Sequence, residues 1–180
     1  MSDGPRVLFV CTANRARSPM AEVIARDLLV LAGHEITVIS AGFLEPGWPA
    51  EREARRVAAQ RGLDLDPHRS RQLDDALVDA SDLILVMTRD HVFDLTSRWP
   101  QVASRTFALG EVALLTRSAP EAVTSEAWRQ WAAGAAGSDR TELLRGGADI
   151  ADPMGRGVRA FRRTADTIAT QLELLTGTLR

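Results

Sequence analysis

The residues best suited to chemistry lie together in the segment Cys11-Thr12-Ala13-Asn14-Arg15-Ala16-Arg17-Ser18. Cys11 is the only cysteine in the chain, so an internal disulfide and a multi-cysteine zinc site are both excluded. The apolar run Val7-Leu8-Phe9-Val10 precedes it, and Pro19 opens a helix-forming stretch behind it. A short apolar run followed by such a stretch predicts a buried strand, a loop and a helix. The segment is therefore expected to connect a strand to the N-terminus of a helix.

A loop in this position can bind a phosphate group. Backbone N–H groups at a helix N-terminus, together with the positive end of the helix dipole, form an anion site. The small side chains of Thr12, Ala13 and Ala16 leave that backbone accessible. The helix dipole and a nearby guanidinium also favour the nucleophilic thiolate form of a cysteine. We therefore predict that residues 12–18 bind phosphate and that Cys11 attacks the phosphorus atom.

Further side chains can complete such a site. The planar fork of Arg17 can bind two phosphoryl oxygens and stabilise the charge of the transition state. The Ser18 hydroxyl can hydrogen-bond the thiolate, and Asn14 belongs to a residue type that tolerates left-handed backbone. A leaving oxygen also needs an acid opposite the nucleophile. Asp152 is the best candidate, because loops of an open α/β sheet converge at the carboxyl edge of the strands.

Each of these features also has an explanation without catalysis. A lone cysteine is most often a small buried hydrophobic residue, and Cys-x5-Arg spacing arises easily by chance in an arginine-rich chain. An aspartate before proline is by default a turn former. The position of Cys11 between a buried strand and a helix start, with serine after Arg17, favours the catalytic interpretation. His34, His68 and His91 show no metal-ligand spacing and are interpreted as structural or surface residues.

Composition and charge narrow the classes of function. With 180 residues, 45% of them hydrophobic, the chain is long enough for one sizeable core and one domain. A formal net charge of -2 gives no electrostatic reason to expect nucleic acid or an anionic membrane as the main partner. All 22 basic residues are arginine, which excludes lysine Schiff-base chemistry. The apolar run before Cys11 is too short for a signal sequence or a membrane span, so a soluble cytoplasmic protein is expected.

Strands and helices are predicted to alternate along the chain. Ser18 is a good N-cap residue, and Pro19 suits the first turn of a helix that extends to Gly33. This alternation implies a parallel sheet covered by helices on both faces. Residues 116–149 interrupt it and are interpreted as a helical cap or lid inserted within a single domain, with Trp128 and Trp131 packed as a stripe. The other predicted elements are strands at 36–39, 83–87 and 105–109, a turn-rich stretch at 41–49, and helices at 51–61, 90–98 and 158–175.

The residues around Cys11 resemble the signature of the low-molecular-weight protein-tyrosine phosphatase family. That signature is a strand, Cys-x5-Arg-Ser-Pro and a Met-Ala-Glu helix start, which here reads Arg17-Ser18-Pro19-Met20-Ala21-Glu22 after Cys11. These similarities cover most of the chain outside residues 116–149. The further similar segments are Ser40-Ala41-Gly42, His68-Arg69-Ser70-Arg71, residues 82–88 and Asp152-Pro153.

The resemblance implies both a fold and a mechanism. The expected fold is a single-domain α/β three-layer sandwich with a four-stranded parallel sheet and a phosphate-binding loop after strand 1. The expected reaction needs no metal or other cofactor and proceeds in two steps through a phosphocysteine, with Asp152 as general acid and base. The Ser40 hydroxyl is expected to brace Asn14, and a phosphorylated protein is the expected substrate.

Substrate preference is where the chain departs from its relatives. The family often has glycine at Ala13, threonine or an apolar residue at Arg15, and a second cysteine at Ala16. Met154 and Gly155 follow the Asp-Pro pair where tyrosine-specific members commonly carry tyrosines, and this chain contains no tyrosine at all. The expected walls of the substrate pocket are Arg15, Phe43, Leu44, Trp48 and Met154, with Trp128 as a further candidate.

These departures leave several functions to compare. The residues after Asp-Pro resemble those of protein-arginine phosphatases, but that branch has threonine where this chain has Arg15. A cation at that position should disfavour a phosphoguanidinium, so phosphotyrosine is the preferred substrate and phosphoarginine the alternative. A non-catalytic phosphate-binding adaptor is another interpretation, although binding alone needs neither Cys11 nor Asp152. Arsenate reductases use a similar loop but need further cysteines for their thiol relay.

Overall fold

Four parallel strands form the central sheet of the protein. The computed structural model describes residues 4–31, 33, 35–111, 124–137 and 149–177. The strand order is β2-β1-β3-β4, and every neighbouring pair is parallel. β1 lies between β2 and β3. The next strand in the chain, β2, pairs with one edge of β1, and the strand after that, β3, pairs with the other edge. The strands are β1 (Arg6–Cys11), β2 (Thr37–Gly42), β3 (Leu83–Val86) and β4 (Thr106–Ala108).

Helices cover both faces of this sheet. On one face α1 packs against α2 and α6, and on the other α4 packs against β3 and β4. Two short 3-10 turns, Pro100–Arg105 and Leu109–Glu111, flank β4. The helices are α1 (Arg17–Leu31), α2 (Arg52–Gln60), α3 (Asp75–Asp79), α4 (Arg89–Arg98), α5 (Ser125–Gly137) and α6 (Val158–Thr176).

The side chains of β1 divide the interior into two cores. Val7 and Phe9 belong to the core beneath α1 and α6, whereas Leu8 and Val10 belong to the core on the α4 side. A strand that is buried on both faces must be apolar at every position, which explains the uninterrupted run before Cys11. The predicted three-layer α/β fold, with a four-stranded parallel sheet and a loop after strand 1, is confirmed.

Several predicted boundaries differ from the structure. α1 begins at Arg17, so Ser18 lies inside the first turn and its hydroxyl serves the loop instead of capping the helix. β2 runs three residues beyond its predicted end, to Gly42, into the stretch predicted as turns. Helix α3 was missed because it has only five residues. Its start was nevertheless marked in the sequence, since the Asp74 side chain accepts a hydrogen bond from the Leu77 N–H at 2.7 Å.

Helix α5 makes up most of the described part of the predicted insertion. It packs against the Pro100–Arg105 turn and β3, and Trp128 is only 1% exposed. Trp128 and Trp131 meet edge to face with ring centroids 5.7 Å apart. The predicted tryptophan stripe is therefore a core contact, and the suggestion that Trp128 lines the substrate pocket is wrong. Residues 116–123 and 138–148 of the predicted insertion, and His34, lie outside the described residues.

Among the described helices, none combines the length and the apolar character needed to cross a membrane.

We predict that α5 contributes to the stability of the whole domain through Trp128. Trp128→Ala removes a side chain that is almost completely buried and should lower the free energy of unfolding by about 3–5 kcal/mol. Phe93→Ala is the matched control, because Phe93 is 73% exposed on α4 and its loss should change stability by about 0.5 kcal/mol or less. Urea unfolding monitored by circular dichroism measures both. Equal midpoints for the two variants would show that α5 is not part of the core.

Candidate active site

The loop between β1 and α1 lies at the carboxyl edge of the sheet. Cys11 is the last residue of β1, and its register partner is Gly42, the last residue of β2. The cysteine is 3% exposed, and its Sγ lies 3.1 Å from Ser18 Oγ in the first turn of α1. A hydroxyl at this distance can donate to a thiolate. The predicted pairing of Cys11 with Ser18 is thus present in the structure.

Asn14 holds the loop in its curved shape. Its backbone adopts the left-handed conformation with φ of 52°, and its side chain is fully buried. Asn14 Nδ2 donates to Ser18 Oγ at 2.9 Å and to Ser40 Oγ at 2.8 Å, while Asn14 Oδ1 accepts from the Arg71 N–H at 2.8 Å. These bonds compensate for the cost of left-handed backbone in a residue with a Cβ. The contact between Ser40 and Asn14 implied by the resemblance is therefore found.

Other groups that the sequence did not single out extend this support. Ser40 Oγ donates to Glu22 Oε2 at 2.6 Å, and His68 Nε2 donates to the Asn14 carbonyl oxygen at 2.8 Å. Glu22 and His68 both lie inside segments that carry the family resemblance, although neither had an assigned role. Their roles depend on contacts with residues 18 and 54 positions away in the sequence.

The peptide groups of the loop are oriented by bonds to its surroundings. The Thr12 carbonyl accepts from the N–H groups of Phe43 and Leu44 at 2.8 and 3.2 Å, and the Arg15 carbonyl accepts from the Glu51 N–H at 2.7 Å. In a trans peptide the next N–H points opposite to the carbonyl. The N–H groups of Ala13 and Ala16 therefore point away from the partners of the preceding carbonyls. The same holds for the Arg15 N–H, because the preceding carbonyl, that of Asn14, is bonded to His68. This is the arrangement that a phosphate-binding loop needs.

Gly42 makes this close contact possible. A Cβ at this position would lie 2.7 Å from the Asn14 backbone nitrogen and 2.8 Å from the Thr12 carbonyl oxygen. Both distances are shorter than any side-chain carbon can tolerate against rigid backbone. Glycine is therefore required where β2 passes the loop.

Arg17 and Asp152 meet at the mouth of the loop. Arg17 is 5% exposed, and its Nη2 donates to Asp152 Oδ2 at 2.7 Å and to Thr12 Oγ1 at 3.3 Å. Its Nη1 donates to the Ile150 carbonyl at 3.3 Å. The Asp152 carboxylate also accepts from the Met154 N–H at 3.0 Å, which closes a turn after the Asp-Pro pair. Two residues 135 positions apart are thus in contact, as the convergence of loops at the sheet edge predicted.

Three of the residues predicted to form the walls of a substrate pocket, Arg15, Leu44 and Trp48, line a cavity beside the loop. Leu44 and Trp48 line a cavity of about 380 Å³ together with Ala13, Arg15 and Glu45. Phe43 does not line this cavity, because its ring stacks on His91 with centroids 5.6 Å apart. Met154 is exposed but is also absent from the cavity lining.

Arg15 is not a free cation at this rim. Its guanidinium pairs with Glu51 at 2.5 Å and lies 5.5 Å from the centroid of the Trp48 ring. The negative charge of Glu51 offsets the positive charge that was expected to repel a phosphoguanidinium. The ion pair therefore weakens the electrostatic argument against phosphoarginine, which rests on the positive charge of Arg15.

His91 was assigned a structural or surface role, yet it contacts the loop. It is 7% exposed, and its Nε2 lies 3.0 Å from Thr12 Oγ1. Burial, and secondly the nearby charge of Arg17, lower the pKa of His91 below its usual value of 6.5. Asp94, Asp90 and Asp152 oppose this shift. No local sequence pattern marks His91, because its partner Thr12 is 79 residues away. His91 lies on α4, the helix that follows β3.

Within the described ranges, no three His, Cys, Asp or Glu side chains come together in a way that could hold a metal ion.

Comparison with known proteins identifies the group to which this loop belongs. The model of the low molecular weight phosphotyrosine protein phosphatase family matches residues 6–119. The chain belongs to this family. This membership confirms the predicted family and places the protein among cysteine-dependent phosphatases. The matched range contains β1, the loop, α1 and the segment that braces Asn14.

Individual relatives fall into two groups. The chain is 40% identical over 107 residues to the probable low molecular weight protein-tyrosine-phosphatase EpsP of Ralstonia solanacearum, across 59% of this chain and 71% of that protein. It is 30% identical over 171 residues to the protein-arginine-phosphatase of Geobacillus stearothermophilus, across 94% and 93% of the two chains. A crystal structure of the low molecular weight protein tyrosine phosphatase from T. tengcongensis has a TM-score of 0.76 at 28% identity, covering 97% of this chain and 99% of that one.

We predict that Gly42→Ala displaces the loop of this phosphatase. The added methyl group collides with backbone, so the loop must shift by a substantial fraction of an ångström, and kcat/KM should fall about 100-fold. Gly134→Ala in α5 is the control, because a Cβ there meets no atom within 4 Å and activity should be unchanged. Initial rates on para-nitrophenyl phosphate give the comparison. Equal rates for the two variants would contradict the steric requirement at Gly42.

Proposed function

We propose that this protein is a protein-tyrosine phosphatase that works through a phosphocysteine on Cys11. The observation that carries the proposal is the contact of Arg17 with Asp152 at the mouth of a loop that begins with Cys11. A clamp for phosphoryl oxygens and a candidate acid are thus held next to a nucleophile. A site that only bound phosphate would need neither the thiol nor the carboxyl group.

The first step transfers the phosphoryl group to sulfur. The substrate phosphate enters the loop, where backbone N–H groups and Arg17 bind its non-bridging oxygens. Arg17 thereby exchanges its bond to Asp152 for bonds to the phosphoryl group. The Cys11 thiolate forms the S–P bond, the P–O bond to the leaving group breaks, and protonated Asp152 donates its proton to the leaving oxygen. Ser18 stabilises the sulfur by hydrogen bonding.

The second step releases inorganic phosphate. Asp152, now a carboxylate, removes a proton from a water molecule as the water oxygen attacks phosphorus. The S–P bond breaks, and Cys11 leaves as a thiolate that accepts the Ser18 hydrogen bond again. Arg17 binds the non-bridging phosphoryl oxygens in both steps, because these oxygens carry the negative charge in both transition states.

The rim supports an aromatic substrate. The cavity beside the loop offers Trp48 and Leu44 as apolar walls for a phenyl ring, 55% and 54% exposed respectively. The 40% identity to a probable tyrosine phosphatase supports the same substrate. We further propose that the enzyme acts in the cytoplasm on phosphorylated proteins.

A second candidate is hydrolysis of phosphoarginine. The match to the arginine phosphatase of Geobacillus stearothermophilus extends over 94% of this chain, compared with 59% for EpsP and 97% for the solved tyrosine phosphatase structure. Arg15 is paired with Glu51, so its charge does not argue against a guanidinium leaving group. Glu45 in the cavity also provides a carboxylate that could attract one.

The catalytic roles are tested by Cys11→Ser and Asp152→Ala on para-nitrophenyl phosphate. Cys11→Ser should abolish turnover, and Asp152→Ala should lower kcat by about 100-fold or more because general acid–base catalysis is lost. Asp149→Ala is the matched control, since Asp149 lies three residues away and bonds the Arg89 N–H instead of Arg17. Full activity of Cys11→Ser would refute the mechanism. A folded wild type inactive on every phosphorylated substrate would favour the phosphate-binding adaptor.

Substrate choice is tested with phosphotyrosine and phosphoarginine peptides of otherwise identical sequence. We expect a higher kcat/KM on phosphotyrosine, and Trp48→Ala should raise KM for that peptide about tenfold by removing apolar contact. Inhibition by inorganic phosphate should not change in Trp48→Ala, because the loop itself is intact. A higher kcat/KM on phosphoarginine would assign the enzyme to the second candidate function.

A further inference from the structure

His91 connects helix α4 to the phosphate loop through Thr12. Its Nε2 lies 3.0 Å from Thr12 Oγ1, and the same oxygen accepts a hydrogen bond from Arg17 Nη2 at 3.3 Å. The imidazole is held on its flank by the Phe43 ring, which stacks on it at an interplanar angle of 26°. A buried ring fixed in this way can define the position of its hydrogen-bond partner.

The surroundings of His91 indicate which nitrogen carries the proton. Its Nδ1 is buried and has no hydrogen-bond partner among the described residues. A proton on Nδ1 would leave a buried N–H unsatisfied, which is costly and rare. The proton is therefore placed on Nε2, from which it is donated to Thr12 Oγ1.

This tautomer determines what the Thr12 hydroxyl can do. A hydroxyl oxygen has two acceptor positions and one hydrogen to donate. His91 and Arg17 occupy both acceptor positions, so the hydroxyl hydrogen is left for a third partner. Thr12 is exposed at the loop that begins after Cys11, where a phosphoryl oxygen would be that partner.

From this arrangement we infer that His91 is a positioning residue that directs the Thr12 hydroxyl hydrogen to the bound phosphoryl group. The inference rests on the proposed function, because it assumes that phosphate occupies the loop. No covalent bond to His91 forms, and its proton stays on Nε2 throughout. His91 acts through Thr12. It also affects the position of the Arg17 guanidinium, because it holds the Thr12 oxygen to which Arg17 donates.

The inference requires neutral His91. A second proton would sit on the unpartnered Nδ1 and place a cation beside Arg17. The charged groups around the ring are Arg17 from α1, Asp90 and Asp94 from α4 itself, Asp152 from the turn before α6, and Arg98, whose guanidinium lies 5.3 Å from the centroid of the Phe43 ring. Burial and Arg17 outweigh the carboxylates and lower the pKa of His91, so the ring is neutral at neutral pH.

The test compares two replacements of the imidazole. His91→Phe keeps an aromatic ring against Phe43 but donates nothing, whereas His91→Gln retains an N–H donor near the position of Nε2. On para-nitrophenyl phosphate, kcat/KM should fall about tenfold in His91→Phe, the usual effect of one hydrogen bond, and recover in His91→Gln. In His91→Gln the acidic side of the kcat/KM profile against pH should lose one titrating group, because amides do not titrate.

A double-mutant cycle assigns the effect to Thr12. Thr12→Val should cost about as much as His91→Phe, and the two together should cost little more than either alone, because both remove the same hydrogen bond. Thr12→Ser is the control that keeps the hydroxyl. Additive losses, or equal losses in His91→Phe and His91→Gln, would overturn the inference and leave His91 a packing residue.

Calorimetric binding of inorganic phosphate separates this inference from the proposed function. Phosphate affinity should fall about tenfold in His91→Phe and be retained in His91→Gln, whether or not the enzyme turns over. Wild type that binds phosphate but hydrolyses nothing would refute the proposed function alone. Unchanged phosphate affinity and unchanged kcat/KM in His91→Phe would refute the role of His91 alone.

Discussion

A buried residue with left-handed backbone and a Cβ is unfavourable unless its surroundings compensate for it, and Asn14 is such a residue. The amide nitrogen of its side chain donates hydrogen bonds to Ser18 and Ser40, and the amide oxygen accepts one from the Arg71 N–H. The left-handed backbone of Asn14 helps the chain to reverse direction between the end of β1 and the start of α1. In the proposed reaction, the backbone donors of this loop are preorganised and need no rearrangement when phosphate binds.

The two ion pairs near the loop differ in their functional consequences. Arg17 is almost fully buried and pairs with an Asp152 side chain that is 47% exposed, so the carboxylate can move away while the guanidinium stays. This fits the proposed role of Arg17 as a clamp that exchanges Asp152 for the phosphoryl group when substrate enters. Arg15 and Glu51 are both partly exposed, and their pairing offsets the charge of Arg15 at the rim. In the proposed reaction, a substrate therefore meets one exchangeable cation at the loop. Beside it lies a partly aromatic rim in which Arg15 is paired with Glu51 and the carboxylate of Glu45 is also present.

The sheet order explains why these groups converge. β1 is central, with β2 on one side and β3 on the other, so connections that leave its neighbours run over both faces. The carboxyl end of the central strand lies at this switch point, where α/β folds bind ligands. Asn14 is braced from the β2 side, and His91 reaches Thr12 from the β3 side through α4. The Asp152 turn meets the same edge because Ile150 N–H bonds the Met87 carbonyl just after β3.

Local sequence alone determined the loop that carries Cys11, the strand before it, the helix after it and the alternation that produces a parallel sheet. These features depend on residues close together in the chain: an apolar run, small loop residues and a helix start. The sequence also predicted that Asp152 lies at the carboxyl edge of the sheet, because in open α/β sheets the loops that follow the strands converge at that edge. Only the tertiary structure decided that Ser18 lies inside α1 instead of capping it, that Glu51 pairs with Arg15, that Trp128 does not line the cavity beside the loop, and that His91 reaches Thr12. Each of these depends on which distant side chain comes within a few ångströms, and that is set by the packing of helices on the sheet and not by local spacing.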